Sequence, residues 1–331
     1  MAALSTSSRD GSRNGFFEYM APAAQASLYR NGKVLTRRDR NGSDGGQVGF
    51  DLVSRQMPVR DGRGLVASER RRLEENGFEL LSAPLESPAP DFFDHHQVVR
   101  DYYPNCAEIV REATGAGHVV AFDHNVRSAA GKQSRKRIKG GQQVQDPSRV
   151  VHGDYTLASA PQRLRDLTKP PSSNDTVRSV LPDEQSLLAT DAVERALTQG
   201  RFAIINLWRN IADKPVAKHP LALCDATSVR PEDLVVFKIH YHDRIGENYF
   251  AKHADAHAWF FYPAVARNEA LLIKQWESAG ALAQSNGAMP DASSLDTPCS
   301  FSFHTAFEDP TTRPDAPERW SIEVRCIALY E

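Results

Sequence analysis

The chain has no long apolar run. None of its 331 residues falls in a stretch near the roughly 18 apolar residues that a bilayer-spanning helix requires. Cysteine is scarce: Cys106, Cys224, Cys299 and Cys326 stand far apart, with no C-x-x-C pair. That excludes a zinc knuckle and a disulfide framework, and fits a reducing, cytoplasmic setting. Charge of one sign is also missing. Forty Lys and Arg against 42 Asp and Glu give a net charge of −2, so nothing draws the whole chain to nucleic acid or an anionic membrane. The first residues, Met1 to Asn14, are Ser- and Arg-rich without an apolar segment. They read as a disordered tail and not as a secretory signal. No repeat of fixed period is visible.

What is present is ordinary globular composition, 40% hydrophobic and 25% charged, with ample length for a buried core. Residues 15–127 read as an N-terminal extension packed on the rest. Turn signals (Asn31-Gly32, Asn41-Gly42, Gly45-Gly46, Asp61-Gly62) separate short strands such as Val48–Val53. A short helix runs from Ser68 to a stop at Gly77, and a longer helical stretch over 91–115 is interrupted by Pro104. His118–Asp123 reads as a strand. The basic clusters Arg37-Arg38 and Arg70–Arg72 read as solvated faces, and 128–148, with Lys132–Lys139, as a flexible basic surface loop.

The spacing predicts helices over Ala160–Leu167 and Asp183–Gln199. Eight strands follow: Phe202–Trp208, Leu221–Cys224, Leu234–His240, Asn248–Lys252, Ala258–Tyr262, Ala270–Trp276, Phe301–His304 and Trp320–Tyr330. Helices early and strands late argue for an antiparallel β-rich core over 149–331 with helices outside it, integrated with 15–127.

The chemistry begins at Val150–Thr156. On a strand, His152 and Asp154 project to one face, because residues two apart share a side. An imidazole and a carboxylate together with one distant His form a set that holds non-haem Fe(II) and leaves coordination positions open. His304 ends a short strand, and Arg319-Trp320-Ser321 opens the last one fifteen residues later. Along that last strand Arg319, Ser321, Glu323 and Arg325 share a face, and Trp320, Ile322, Val324 and Cys326 the other. A charged inner face fits a pocket for an anion, and a guanidinium fits a carboxylate bidentately. Arg319 and Arg325 lie about 20 Å apart along a strand, too far to hold one carboxylate together. A second pair, His253-Ala-Asp255, competes for the metal; too few strands separate it from His304.

The ordered pattern H-x-D, distant H, then R-x-S resembles the Fe(II)/2-oxoglutarate-dependent oxygenases. The phrases Val151–Thr156, Phe202–Arg209, Pro220–Ala226, Gly246–Tyr249, His257–Tyr262, Glu269–Lys274, Ser302–Phe307 and Glu318–Arg325 are similar to the hydroxylase/desaturase family of fungal secondary-metabolite clusters. That family also resembles the cephamycin 7-alpha-methoxylation accessory protein. Tyr102–Pro104 and Phe122–Arg127 extend the likeness, and Phe303 departs from it where relatives are expected to carry Pro.

The resemblance implies a double-stranded β-helix (jelly roll). It implies Fe(II) on His152, Asp154 and His304, with 2-oxoglutarate and O₂ as cosubstrates. Arg319 and Ser321 would take the distal carboxylate of 2-oxoglutarate. Arg325 would serve the far end of that pocket or pair with Glu323. Substrate contacts are expected from Asn206, Trp208 and Arg209, from Arg127 near the entrance and from Tyr155, with Tyr155 and Thr156 hydrogen-bonding behind the metal pair. The partner is a small-molecule substrate, with no nucleic acid and no membrane, and a homodimer left open. A zinc hydrolase on the same three ligands, or a non-catalytic jelly-roll accessory protein, are the alternatives.

Overall fold

The computed structural model describes residues 12–24, 35–38, 44–49, 51–172, 175–240, 245–292 and 296–330, with side chains except at 35–38 and 44–47. Most of the expected tail, and the Asn31-Gly32 and Asn41-Gly42 turns, lie outside the described residues, as do the side chains of Arg37 and Arg38. The strands in chain order are β1 (Arg13–Met20), β2 (Leu35–Arg38), β3 (Asp44–Val48), β4 (Leu52–Asp61), β5 (Phe78–Ser82), β6 (His118–Arg127), β7 (His152–Gly153) and β8 (Arg201–Asn210). They continue with β9 (Leu221–Cys224), β10 (Leu234–His240), β11 (Ile245–Ala251), β12 (Trp259–Phe261), β13 (Glu269–Glu277), β14 (His304–Ala306) and β15 (Ser321–Tyr330). Three longer helices are α1 (Tyr103–Thr114), α2 (Ser159–Asp166) and α3 (Thr190–Thr198).

Two sheets face each other. One has the order β1-β4-β12-β9-β14-β7-β11-β10-β2-β3, the other β5-β13-β8-β15-β6. Together they form the barrel-like jelly roll, β-rich with helices flanking it. Early strands enter both sheets, β1 and β4 the larger and β5 and β6 the smaller.

The small sheet is buried on both faces, which is why β8 and β15 are buried along nearly their whole length. Its inner face meets the large sheet through Phe202, Ile204, Ile327 and Leu329, packed with Phe17, Tyr249 and Trp259. Its outer face packs Ile205, Leu207, Ile322 and Val324 under Tyr102, Tyr103, Cys106 and Val110 of the α1 region. Period-two alternation therefore separates two functions on one strand. Hydrophobic residues alternate with polar ones because one side closes on helices and the other opens on the interior.

Several local expectations change. The helical run over 91–115 is not broken at Pro104. A π turn over Val98–Tyr102 precedes α1, and Pro104 sits in the first turn of α1, where a missing N–H costs little. The helix expected from Asp183 starts only at Thr190; Glu184 at φ 68° takes the left-handed conformation and turns the chain. The Ser68 helix reduces to a 3₁₀ turn at Ala67–Glu69 and one turn at Leu73–Asn76, stopped by Gly77 at φ 89°. Gly45-Gly46 lies within β3.

The basic stretch 128–148 is tied down. Ser128 caps a short helix at Ala129–Gln133, and Ile138 and Val144 are buried. The Lys136 ammonium lies 3.6 Å from the Phe93 ring centre, and Lys139 pairs with Asp94 at 2.9 Å. No helix among the described residues is long and apolar enough to cross a membrane.

Candidate metal centre

β7 and β14 are neighbours in the large sheet, and His152 pairs directly with His304 across them. The two rings lie 4.3 Å apart between centres. Asp154 leaves β7 on the same side, with its Oδ1 3.7 Å from His152 Nε2. One ligand atom from each of the three lies within 4.8 Å of the others, and among the described residues no other such group occurs. Gly153 between the ligands is closely packed: a Cβ there would lie 3.0 Å from the Phe301 ring, which would have to shift to admit it.

The surroundings prepare each ligand. His152 Nδ1–H donates to the Val150 carbonyl at 2.7 Å, which leaves Nε2 with its lone pair towards the centre; this tautomer is assigned from the hydrogen bond. His304 hydrogen-bonds the Ser302 backbone. Burial first, then the neighbouring His304 cation-forming ring, lowers His152 to about 4; burial also takes His304 to about 4. Both imidazoles are therefore neutral near pH 7 and available as ligands. Asp154 is held far below the usual carboxylate range, chiefly by the Arg325 guanidinium working against burial.

Behind the ligands is a layer of hydrogen bonds. Asp154 Oδ2 accepts from Asn206 Nδ2 at 2.9 Å and from Arg325 Nε at 3.0 Å. Gln275 Oε1 accepts from the Asp154 main-chain N–H at 2.9 Å. Gln275 is the extra residue of a bulge in β13, between Lys274 and Trp276 in the pairing with β8, and the bulge turns it inward.

A narrow cleft opens beside the histidines, lined by Arg127, Ser148, Trp208, Leu221, Arg319 and Glu323. Arg319 is 3% exposed. Its Nε donates to Ser321 Oγ at 3.1 Å and its Nη1 to the His219 carbonyl at 2.6 Å, and the guanidinium lies 5.2 Å from the Trp208 ring centre. Among the described residues it forms no ion pair. Burial, then repulsion from Arg127, lowers it to about 9. A buried cation held by neutral partners is a place for an anion.

The expected residues divide. His152, Asp154, His304, Arg319, Ser321, Asn206, Trp208 and Arg127 converge. Arg209 does not: it follows Trp208 by one residue and so faces the helices. There it donates to Tyr102 Oη at 2.7 Å and to the Ala83 and Arg267 carbonyls. Arg325 does not line the cleft as a cosubstrate residue, because its three nitrogens are spent on Asp154, Asp123 and Glu323. Thr156 accepts from the Ala158 and Ser159 amides at the start of α2. Tyr155 packs against the inner core, and burial pushes its phenol up to about 12.

Two supporting residues escaped sequence reasoning: Gln275 and Asp123 lie at bulges and gave no signal, whereas Glu323, on the polar face of the last strand, is the partner expected for Arg325.

The rival pair is not part of this centre. His253 Nε2 lies 3.2 Å from Met57 Sδ and Asp255 is fully exposed. His257 is locked between Asp233 and the Tyr19 hydroxyl, both at 3.1 Å.

The chain is similar to several known proteins. An alpha-ketoglutarate-dependent dioxygenase (phiK) of a fungal species is 29% identical over 98% of this chain and 99% of its own length. A protein of Methylophilus leisingeri encoded in the dcmA 3′ region is 40% identical over 58% of this chain and 88% of its own. The solved iron and alpha-ketoglutarate-dependent endoperoxidase NvfI shares the fold, with a TM-score of 0.71 at 22% identity over 96% of this chain and 98% of that one. Residues 17–329 match the model of the family described as "Oxidoreductase/YMDC permease-like domain", and the chain belongs to that family.

Proposed function

We propose that the chain oxidises an unactivated C–H bond of a small molecule of secondary-metabolite or amino-acid-derived type, by hydroxylation, desaturation or oxidative ring closure. It is an Fe(II)/2-oxoglutarate-dependent oxygenase, with succinate and CO₂ as co-products. The observation that carries this reading is the pairing of two features on one cleft: three neutral-or-anionic metal ligands, and a buried Arg319 with no carboxylate partner among the described residues. A zinc hydrolase needs the ligands and not the buried cation, and an accessory protein needs neither.

His152, Asp154 and His304 would hold Fe(II), which fits their donor set and their protonation. Arg319, steadied by Ser321 and the His219 carbonyl, would take the distal carboxylate of 2-oxoglutarate in a charge-assisted pair. Bound iron and 2-oxoglutarate supply the oxidising power, coupling O₂ reduction and decarboxylation to removal of a substrate hydrogen. The chain positions and shields. Among the described residues Trp208 Nε1 and Asn206 Oδ1, on the inner face of β8, are buried without partners, polar atoms that a bound ligand would satisfy. Arg127, with Nη1 on the Asp146 carbonyl, is the second cation at the cleft, and Tyr155, next to Asp154 in the chain, packs against the inner core. Four unpaired, buried cysteines accord with the cytoplasmic setting included in this reading.

The test is anaerobic reconstitution. Fe(II) and 2-oxoglutarate should give a weak visible charge-transfer band, and air should then release succinate. Screening amino-acid, polyketide and terpenoid compounds should yield a product with one oxygen gained or two hydrogens lost. Absence of the band in protein that binds Fe(II) would refute the reading. Monomer or homodimer is read by light scattering of the same sample.

A further inference from the structure

Arg325 is a buried cation in the middle of the small sheet, 8% exposed, opposite Asn206 of β8 and Asp123 of β6. Each of its nitrogens meets a different carboxylate: Nε with Asp154 Oδ2 at 3.0 Å, Nη1 with Asp123 Oδ2 at 2.9 Å, Nη2 with Glu323 Oε1 at 3.1 Å. Three partners in three directions fix the rotation of a planar fork. Asp123 reaches it through a β-bulge, which shifts the β6–β15 register between Arg325 and Cys326. Asn206 Nδ2 places a second donor on the same Asp154 oxygen at 2.9 Å. Oδ2 therefore accepts two hydrogen bonds, while Oδ1 faces His152 Nε2.

We infer that Arg325 is a positioning residue that commits Asp154 to bind metal through Oδ1 alone. This rests on the metal reading above. A carboxylate with both oxygens free can chelate and take two coordination positions. With Oδ2 clamped, Asp154 takes one, and the position it gives up stays open for cosubstrate. The charges agree with this arrangement. Three carboxylates against one guanidinium leave −3 + 1 = −2, which a divalent cation neutralises. Losing Arg325 leaves −3, so the metal should be kept while the open position is lost.

The experiment uses Co(II) in the full chain under anaerobic conditions and compares wild type with Arg325→Met, Arg325→Lys and Asn206→Leu. Arg325→Met should bind Co(II) at least as tightly as wild type, show an altered visible Co(II) spectrum before any cosubstrate is added, and bind 2-oxoglutarate roughly ten- to hundredfold more weakly. Arg325→Lys keeps the charge without the fork and should rescue neither spectrum nor 2-oxoglutarate affinity. Wild-type spectrum and affinity in Arg325→Met, or full rescue by Lys, would overturn the inference. Should Arg325→Met fail to fold, Asn206→Leu decides, since freeing one of the two bonds on Oδ2 must still alter the Co(II) spectrum, and an unchanged spectrum overturns it. Failure of the wild type itself to bind Co(II) would count against the metal reading instead.

Discussion

The two His-x-Asp pairs of this chain are nearly identical within themselves. The imidazole-to-carboxylate distance is 3.7 Å in His152/Asp154 and 3.6 Å in His253/Asp255. They differ in what surrounds them. The first has side chains 8% and 7% exposed, a third ligand directly across a strand pair, and donors on the spare carboxylate oxygen. The second has a carboxylate wholly in water and a methionine sulfur for company. Spacing along the chain is the same; strand pairing decides which becomes a site.

Mutation should widen this contrast most at the ligands. His152→Ala should lower Co(II) affinity by more than about a hundredfold, since it removes one of the three ligand atoms outright. His253→Ala should stay within about twofold, as surface changes do. Parallel Co(II) titrations measure both, and equal losses would erase the distinction.

Arg319→Leu comes next. Removing a charge-assisted pair worth about 2–3 kcal/mol should raise KM for 2-oxoglutarate roughly 30- to 150-fold. kcat at saturation should change much less. Steady-state kinetics in 2-oxoglutarate check it, alongside a melting curve that shows the fold intact.

The region of the second pair should respond in stability and not in metal binding. His257→Ala leaves buried Asp233 and Tyr19 without a shared partner and should cost about 2 kcal/mol in urea unfolding, with Co(II) affinity unchanged.

The smallest effect concerns pH. His124 is lowered to about 4 by burial, the same value as the two ligand histidines, although it only bonds the Tyr103 hydroxyl. Asp123, His95 and Arg325 are the charged or titratable groups that act on it. Unfolded histidine protonates at its ordinary 6.5, so as pH falls from there towards 4 the unfolded chain gains the proton first. Stability is complete above 6.5 and declines below it, by about 1 kcal/mol between pH 6 and 5 for this residue. The difference between wild type and His124→Asn, measured by urea titration at those two values, should show that slope. A lowered histidine pKa thus marks burial; three ligand atoms within reach of one ion, as at His152, Asp154 and His304, mark a metal site.

Much of this architecture was legible in the sequence. β8 to β13 and β15 fall close to the runs expected from alternation, and the charged side of β15 does face the interior. Arg209 was misread although the same alternation separates it from Asn206 and Trp208: one residue along a strand is the other side of a sheet. Pro104 misled because a proline reads as a break wherever it stands, while here it falls in the first turn of α1, after a π turn over Val98–Tyr102 whose Val98, Val99 and Tyr102 are buried. The start of α3 depended on a left-handed Glu184, a residue type that gives no hint of one. Gln275 was beyond reach because the extra residue of a bulge leaves no mark in composition or periodicity, and Asp123 because the bulge at Phe122 changes the side it faces.

The bulge in β6 has one more consequence. Before it the even-numbered side chains, Val120 and Phe122, face the interior; after it the odd ones do, Asp123 and Arg127. It is a phase slip in a binary code, and it changes the alphabet of the inner surface from oil to charge within one strand. A family built on such a strand can move the border between core and reaction chamber by shifting the slip, with no need to rewrite the residues on either side.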